Sequence, residues 1–314
     1  MTTAHPLPGG RTAVIGATGF IGSRLTAALT AGDPRVPAAF NRAVPPVADG
    51  RAAPGLAEAD IVYFLAAGLS PILAERRPDL VEAERRLLIE VLDALAAAGR
   101  RPVFVLAGSG GAVYAPEVAP PYRETTPTRP DSAYGHAKLR LEHELFRRRD
   151  AVRAVVARLS NVYGPGQRPV RGFGVLPHWL RAAVRGEPVR VFGDPHVVRD
   201  YVHVDDVTRF LLALRTRIAG GRLPSVVNVG SGVPTSLSGL LDIVSEVTGG
   251  SVAVRWERGR SFDRQGNWLD VARADAEFGW RAAIPLAEGV RACWERVLDD
   301  AGRAASVPTS VSTL

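Results

Sequence analysis

Lysine, cysteine and methionine each occur only once among the 314 residues of this sequence. The single cysteine, Cys293, excludes an internal disulfide and fits a reduced compartment. The sequence also lacks an uninterrupted apolar run of about 18 residues, so we expect no membrane-spanning helix. Its first ten residues carry neither a basic segment nor an apolar core, and we expect no signal peptide. These absences predict a cytoplasmic protein without a membrane partner.

Acidic residues are outnumbered, 32 against 39 basic residues, which gives a formal net charge of +7. The arginines are spread along the chain, and their longest cluster, 147–149, follows a predicted helix, where cations complement the helix dipole. A surface that binds nucleic acid would gather them in one strip. We therefore expect no nucleic-acid polymer as a partner, and instead several arginines that meet a small polyanionic ligand.

Strand-like apolar segments alternate with helical segments over the first half of the sequence. The strand-like segments are residues 12–15, 36–40, 61–67, 103–107 and 152–159. Residues 78–98 show the apolar periodicity of a helix. This alternation predicts an α/β protein with a Rossmann-type, doubly wound parallel sheet.

Segments punctuated by proline and glycine begin after residue 164 and mark a change of architecture. We assign residues 1–164, with about 193–230, to a dinucleotide-binding Rossmann domain. Residues 165–192 and 231–300 are assigned to a smaller, interleaved α+β domain that binds the substrate. Residues 301–314 lack periodicity and are expected to form a disordered tail.

A glycine occurs at every third position of segment 16–22, directly after the first strand-like segment and at the start of a helix. Small residues there let the backbone approach a pyrophosphate at the positive helix N-terminus. The spacing differs from G-x-G-x-x-G, but its place in the first strand–helix unit indicates a dinucleotide site. The residues assigned to this site are Gly16, Thr18, Gly19, Phe20, Ile21 and Gly22.

The second strand-like segment ends in Phe40-Asn41-Arg42, without the acid that usually bonds the adenosine ribose of NAD. Arg42 is suited to face a 2′-phosphate and Asn41 to bond a ribose. We therefore predict NADP(H) as the cofactor, with NAD as the alternative. An ordinary loop arginine is the competing interpretation of Arg42. Ala66 and Ala67, at the end of the third segment, offer a small-residue surface for the cofactor.

The only lysine, Lys138, stands four residues after Tyr134. Positions i and i+4 share a helix face, so we expect the ammonium group beside the phenol. A cation there favours phenolate and lowers the pKa of the tyrosine toward working pH. The pair is therefore predicted to act as a general acid/base. A surface lysine that lies near a tyrosine by chance is the competing interpretation.

Several segments between residues 11 and 290 keep the order of a known family. They are Gly16–Gly22, Ser109–Tyr114, Tyr134–Lys138, Arg158–Pro165, Arg199–Asp206, Leu269–Val271 and Phe278–Trp280. Together they resemble the extended short-chain dehydrogenases/reductases, in the NAD(P)-dependent nucleotide-sugar epimerase/dehydratase group.

The resemblance implies hydride exchange at a sugar carbon, with Tyr134 handling the hydroxyl proton and Lys138 bonding the nicotinamide ribose. It also implies a nucleotide-diphosphate sugar as the partner, with Asn161 at the substrate. Arg199 and Arg260 are implied to bind the diphosphate, whose paired oxygens suit a planar guanidinium. For each arginine, a surface salt bridge is the competing interpretation.

A homodimer built by helix packing is a further implication of the resemblance. The apolar stripe on residues 80–95 allows such a dimer, although it fits equally well a helix face turned only toward the sheet.

Departures from the family pattern restrict the chemistry. Gly110 occupies the position where many relatives place a catalytic Ser or Thr, and Ser109 lies one residue earlier. We assign both residues to the substrate site and Ser109 as a candidate catalytic hydroxyl, with a structural hydroxyl as its alternative. Gly111 and Ala112 stand where the 4,6-dehydratases carry an Asp-Glu pair, so dehydration is not expected. Segment 42–60 is also too short for the usual extra strand and helix.

Two reactions fit these residues. One is NADPH-dependent reduction of a keto group at C4 of a nucleotide-activated, dTDP-linked deoxysugar, and the other is 4-epimerisation with tightly bound NAD. Arg42 and the missing acid favour the reductase. A non-catalytic dinucleotide sensor is the third hypothesis, which the Tyr134/Lys138 pair disfavours because a sensor needs no tuned phenol. No metal site is predicted.

Overall fold

The computed structural model describes residues 10–32, 35–66, 68–170, 172, 174–217, 223–250, 252–259 and 266–305. The first half of this chain contains β1 (Thr12–Ile15), α1 (Phe20–Gly32), β2 (Ala38–Phe40), β3 (Val47–Ala48), β4 (Arg51–Ala52), α2 (Pro54–Ala57), β5 (Ile61–Phe64), α3 (Pro71–Arg76), α4 (Pro78–Ala98), β6 (Val103–Ser109), α5 (Ala133–Arg147) and β7 (Arg153–Leu159). The second half contains β8 (Asn161–Tyr163), α6 (Leu176–Val184), β9 (Val189–Phe192), β10 (Val198–His203), α7 (Val204–Thr216), β11 (Val226–Val229), β12 (Pro234–Ser236), α8 (Leu237–Thr248), β13 (Val254–Glu257), β14 (Gly266–Asn267), α9 (Ala272–Phe278) and α10 (Leu286–Ala305).

The main sheet has six parallel strands in the order β11-β7-β6-β5-β1-β2. The chain runs outward from β1 to β2 and then returns to β5 on the other side of β1. Ligands of open α/β sheets bind at the carboxyl ends of the strands where the order reverses in this way. The glycine segment after β1 therefore lies at the expected cleft, and the predicted doubly wound parallel sheet is confirmed.

Both faces of the main sheet are covered by helices. On one face, Leu25 and Leu29 of α1 and Phe210 and Leu214 of α7 are buried. On the other face α4 and α5 pack against the sheet. The buried residues of α4 include Leu88, Val91, Leu92 and Leu95 of the apolar stripe, so this stripe faces the sheet. Homodimer formation stays a prediction.

A smaller lobe is built around β10. This strand pairs with β12, β14 and β8, while β9 pairs with β13. Helices α6, α8 and α10 enclose an apolar core that includes Trp179, Leu240 and Val290. The lobe is interleaved with the main sheet because β11, which follows β10 and α7, returns to β7.

Two predicted boundaries differ from the structure. Segment 193–230 is divided between the lobes, because β10 joins the small sheet and only α7 and β11 pack with the main sheet. Residues 301–305, predicted to begin a disordered tail, are the last residues of α10, while 306–314 lie outside the described residues. Segment 42–60 holds only the two-residue strands β3 and β4 and the four-residue helix α2, as its length predicts. Among the described helices, none is long and apolar enough to cross a membrane.

Candidate active site

The glycine segment forms a tight turn between β1 and α1. Gly16 has a φ of 89°, and a Cβ there would lie 2.7 Å from the backbone nitrogen of Ala66. A Cβ on Gly22 would lie 2.1 Å from the Gly16 carbonyl oxygen. Side chains at 16 and 22 would therefore force the turn away from β5 or from the helix. These two glycines are packing residues, and they bring α1 close to the sheet.

The residues between those glycines open onto a large cavity. Thr18, Gly19, Phe20 and Ile21 line a space of about 1210 Å³ that lies between the two lobes. The first turn of a helix leaves backbone N–H groups without intrahelical partners, and the first turn of α1 carries no acidic side chain. The turn thus presents the positive end of a helix dipole to the cavity, which fits a pyrophosphate.

The end of β2 lies beside this turn. The backbone N–H groups of Gly16 and Ala17 donate to the Phe40 carbonyl at 2.9 and 3.0 Å. The Asn41 Oδ1 accepts from the N–H groups of residues 43 and 44, so it shapes the following loop. Arg42 is exposed, and no hydrogen bond or ion pair engages its side chain within the described residues. It is therefore available to an anion next to the turn.

The two alanines predicted to support the cofactor are not found on the described wall of the cavity. Ala66 is partly buried and lies outside the cavity wall, whereas its neighbours Leu65 and Gly68 line it. Ala67 lies outside the described residues. Asn41 and Arg42 are also outside the set of residues that line the cavity.

Tyr134 and Lys138 both line the cavity from the first turns of α5. The helix begins after Ser132, whose Oγ accepts from the Gly135 N–H at 3.1 Å. A Cβ at Gly135 would lie 2.4 Å from the Ala112 carbonyl oxygen, so glycine lets the helix pack closely on the segment after β6. This packing brings the half-buried Tyr134 phenol to the wall that also contains Ser109.

Lys138 has a partner that sequence reasoning missed. Its Nζ lies 5.6 Å from the Tyr134 ring centroid and donates to the Oε1 of Glu84 at 2.6 Å. Burial lowers the pKa of the Lys138 ammonium, but the charges of Glu84 and Tyr134 and the Glu84 hydrogen bond raise it above its usual value. The sequence signal for this buried pair was Glu84 itself, a charged residue on the apolar face of α4.

The segment after β6 places Ser109 and Gly110 differently. Ser109 pairs with Leu159 at the end of β6 and faces the cavity. Gly110 is buried outside the wall, and a Cβ there would lie 2.6 Å from a methyl group of Leu269. Ser109 therefore faces the cavity, while Gly110 is packed against Leu269. The Nδ2 of Asn267, also on the wall, donates to the Gly111 carbonyl.

The small lobe supplies the other half of the wall. Asn161 lines the cavity and donates from Nδ2 to the Asp200 carbonyl at 2.9 Å. Arg199 also lines it and donates from Nη1 to the Val198 carbonyl at 2.9 Å. Arg260 lies outside the described residues. Sequence reasoning missed Phe192, Arg168 and Arg296, which complete this end of the wall and carried no distinguishing pattern.

Asp200 organises the loops around this wall. Its side chain is fully buried and accepts from the N–H and Oγ of Ser231 at 2.8 and 2.7 Å and from the Leu269 N–H at 3.3 Å. Burial raises the pKa of this carboxyl, and the hydrogen bonds oppose that rise. The carboxylate ties β10 to the segments that follow β11 and β14, and so fixes the strand that carries Arg199.

The cavity wall is strongly basic. Within the described residues it includes one acidic side chain, Asp131, and five cationic ones. The cationic residues are Arg24, Lys138, Arg168, Arg199 and Arg296. Such a field favours a ligand that carries several negative charges. Across the cavity and the rest of the described residues, no group of three or more His, Cys, Asp or Glu side chains is placed to hold a metal ion.

Comparison with known proteins assigns the chain to a family. Residues 12–230 match the NAD dependent epimerase/dehydratase family. The chain belongs to this family, whose enzymes are of the extended short-chain dehydrogenase/reductase type. The crystal structure of UDP-glucose 4-epimerase from Thermotoga maritima with UDP-glucose superposes with a TM-score of 0.80 at 27% identity, covering 93% of this chain and 99% of that one.

The related sequences have more than one activity. A UDP-glucose 4-epimerase of Mycolicibacterium smegmatis is 30% identical over 312 residues, covering 89% of this chain and 96% of the relative. A dTDP-6-deoxy-L-talose 4-dehydrogenase (NAD(P)(+)) of Kitasatospora kifunensis is 30% identical over 317 residues, covering 94% and 97%. A putative UDP-glucose 4-epimerase of Methanocaldococcus jannaschii is 32% identical over 190 residues, and the match spans only 60% of its length. The names of these relatives describe enzymes that act on nucleotide sugars.

Proposed function

We propose that this protein modifies a nucleotide sugar, and that it reduces the keto group at C4 of a dTDP-linked 4-keto-deoxysugar with NADPH. The observation that supports the reductase hypothesis is the set of residues that follows strand β2. No acid follows this strand, and the exposed Arg42 stands beside the glycine turn with its guanidinium unengaged within the described residues. A 2′-phosphate at that point gains a cation, whereas the ribose of NAD finds no carboxylate acceptor.

The residues at the turn fit a nicotinamide dinucleotide. Thr18, Gly19, Phe20 and Ile21 would hold the pyrophosphate at the start of α1, and Lys138 would bond the nicotinamide ribose. When bound, the reduced cofactor supplies a hydride to the carbonyl carbon. The protein contributes the proton, the orientation of the sugar and the exclusion of water.

Tyr134 is the proton donor in this scheme. Its hydroxyl gives a proton to the carbonyl oxygen as the hydride reaches the carbon, so a ketone becomes an alcohol and the phenol becomes phenolate. Ser109, on the same wall, is suited to bond that oxygen and hold it near the phenol. The cation of Lys138 stabilises the phenolate until it is reprotonated.

The small lobe is suited to the nucleotide diphosphate. Arg199 and the other arginines of the wall offer planar guanidinium groups to paired phosphate oxygens. Asn161 also lines the cavity, and its side chain is suited to bond a sugar hydroxyl. The wall beside Ser109 has Gly111 and Ala112, which carry no acid or base. The site therefore lacks a second proton carrier there for loss of water, and simple reduction or epimerisation fits it better.

A second function is 4-epimerisation with tightly bound NAD. It is supported by the UDP-glucose 4-epimerases among the relatives, one of which matches nearly its full length. The same Tyr134 would take a hydroxyl proton and return it after the hydride is restored to the opposite face. A non-catalytic sensor has less support because the cavity contains both Tyr134 and Lys138.

The first experiment extracts and identifies any nucleotide that copurifies with the protein. The same preparation is then given dTDP-4-keto-6-deoxyglucose and NADPH, and the loss of reduced-nicotinamide absorbance is followed. We expect NADPH oxidation that depends on the keto sugar. Bound NAD together with no net NADPH oxidation would overturn the reductase and favour the epimerase, which UDP-glucose and UDP-galactose then test.

Tyr134→Phe should abolish turnover, by at least about a thousandfold, because the variant lacks the phenol that supplies the proton in this scheme. Cofactor binding, measured by quenching of protein fluorescence, should stay within a few-fold of the wild type. Tyr63→Phe is the matched control, since Tyr63 is fully buried and donates to the Leu211 carbonyl at 2.7 Å, away from the cavity. Retained turnover in Tyr134→Phe would remove Tyr134 from the mechanism.

A further inference from the structure

Glu84 of α4 holds the ammonium group of Lys138 at the cavity wall. The distance between Glu84 Oε1 and Lys138 Nζ is 2.6 Å, and the two side chains are 7% and 3% exposed. On its other side the same ammonium lies 5.6 Å from the Tyr134 ring centroid. Lys138 is thus shared between a carboxylate behind the wall and a phenol on it.

The helix itself does not require a glutamate at this position. Residue 84 stands one turn before Leu88, on the face of α4 that packs against the sheet and α5. An aliphatic side chain would serve that packing, and a buried carboxylate carries a desolvation cost that a partner must offset. The carboxylate is therefore explained by Lys138, and Lys138 opens to the cavity.

We propose that Glu84 is a positioning residue that fixes Lys138 at the wall and, by offsetting part of its charge, sets the electrostatic field that this lysine exerts on the Tyr134 phenol. The inference rests on the acid/base role of Tyr134 in the proposed function. A carboxylate behind the lysine weakens the positive field at the phenol, and removing that carboxylate would leave the phenol beside an uncompensated ammonium. A protonated phenol is the form that a reductase needs.

Other charges near Lys138 do not duplicate Glu84. Within the described residues, the groups that act electrostatically on Lys138 are Glu84 and Tyr134. Strand β6 carries no charged side chain, and Glu75 and Arg76 of α3 are exposed. The remaining charged side chains that α4 and β7 bring toward α5 are already paired, Arg85 with Glu82 and Glu144, and Arg158 with Glu142.

The test measures the ionisation of Tyr134 directly, by near-ultraviolet phenolate absorbance as the pH is raised, and needs no substrate. Subtracting the curve of Tyr134→Phe from that of the wild type isolates this tyrosine. The separation is favourable because burial raises the pKa of four other tyrosines, Tyr63, Tyr114, Tyr163 and Tyr201.

Glu84→Gln keeps a hydrogen-bond acceptor for Lys138 and removes the charge. We expect the Tyr134 titration to move down by about one pH unit. Glu84→Asp keeps the charge at a greater distance, and we expect its curve to fall between those of the wild type and Glu84→Gln. If Glu84→Gln does not fold, the downward shift in Glu84→Asp alone carries the test.

Glu144→Gln is the matched control. Glu144 is a buried glutamate that joins the same two helices through Arg85 at 2.8 Å, but it does not line the cavity. It should lose thermal stability and leave the Tyr134 titration in place. Curves of Glu84→Gln and Glu84→Asp that coincide with the wild type, or shift upward, would overturn the inference and leave a structural ion pair. Failure of the proposed function is separate, because it appears as retained turnover in Tyr134→Phe.

Discussion

Helix α5 takes part in two buried ion pairs that have similar burial and different surroundings. In one, Lys138 donates once to Glu84, and the side chains are 3% and 7% exposed. In the other, Arg158 donates from Nε and Nη2 to both oxygens of Glu142 at 3.0 and 2.7 Å, and the side chains are 5% and 1% exposed. Each acid raises the pKa of its cation against the opposing effect of burial.

The surroundings separate their roles. The Arg158 guanidinium lies 4.9 Å from the Tyr114 ring centroid, and neither member of its pair reaches the cavity. The Lys138 pair has one partner behind the wall and one side open to the cavity. A two-point guanidinium contact suits a rigid crosslink, whereas a single ammonium contact leaves donors for a ligand. Access to the cavity, not burial or charge, thus distinguishes a site pair from a structural pair.

Glu142→Gln is the substitution with the largest expected effect, and it tests whether the Arg158–Glu142 pair is structural. Removing one partner of a buried bidentate pair should lower the free energy of unfolding by about 3 kcal/mol or more, because the Arg158 charge loses its counterion. Urea denaturation followed by circular dichroism measures the change. Turnover per folded molecule should stay near the wild-type value. A loss of turnover without a loss of stability would place the Arg158 pair in the site instead.

Exchanging the two cations tests the comparison from the other side. Lys138→Arg keeps the charge but replaces a side chain that is only 3% exposed with a planar, bulkier one. Turnover should therefore fall about a hundredfold. Initial-rate kinetics with the keto sugar and NADPH give the change. Turnover of Lys138→Arg within a few-fold of the wild type would show that any cation suffices.

Arg158→Lys is the reciprocal exchange, with a smaller expected effect. One ammonium cannot make both contacts to Glu142, so stability should fall by about 1.5 kcal/mol while turnover of the folded enzyme is retained. Thermal and urea denaturation measure the first quantity and initial rates the second. Unchanged stability would contradict the crosslinking role.

The smallest expected effect concerns Arg42, an exposed cation outside both buried pairs. Arg42→Ala should raise the KM for NADPH about tenfold and leave the KM for NADH nearly unchanged, because only the former carries a 2′-phosphate. Arg51→Ala, which removes an exposed arginine of β4, is the control. Equal changes for both cofactors would make Arg42 an ordinary loop residue.

Much of the fold was accessible from local sequence pattern. The helix predicted over 78–98 is α4, and the strand-like segment 152–159 contains β7. The glycine turn, the placement of Tyr134 and Lys138 on one helix, and the shortened segment 42–60 also follow from short-range rules. These features depend on neighbours in the chain, which the sequence displays directly.

Long-range pairings were the part that the sequence pattern missed. Strand β10 joins the small sheet although it lies in a segment assigned to the main domain. Gly110 lies outside the cavity wall, and Leu269, more than 150 residues later, occupies the space that a side chain at 110 would need. Periodicity carries no information about which distant strand or side chain fills a given space.

By itself, the sequence determined the chemistry available: a glycine turn after the first strand, a second strand that ends without an acid, and one lysine set four residues after a tyrosine. Only the tertiary structure decided how that lysine is used. Glu84 and Lys138 are 54 residues apart in the chain and meet because α4 and α5 pack side by side on the same face of the sheet. Burial at that contact makes their charges interdependent, and the cavity beside it brings the pair to the tyrosine.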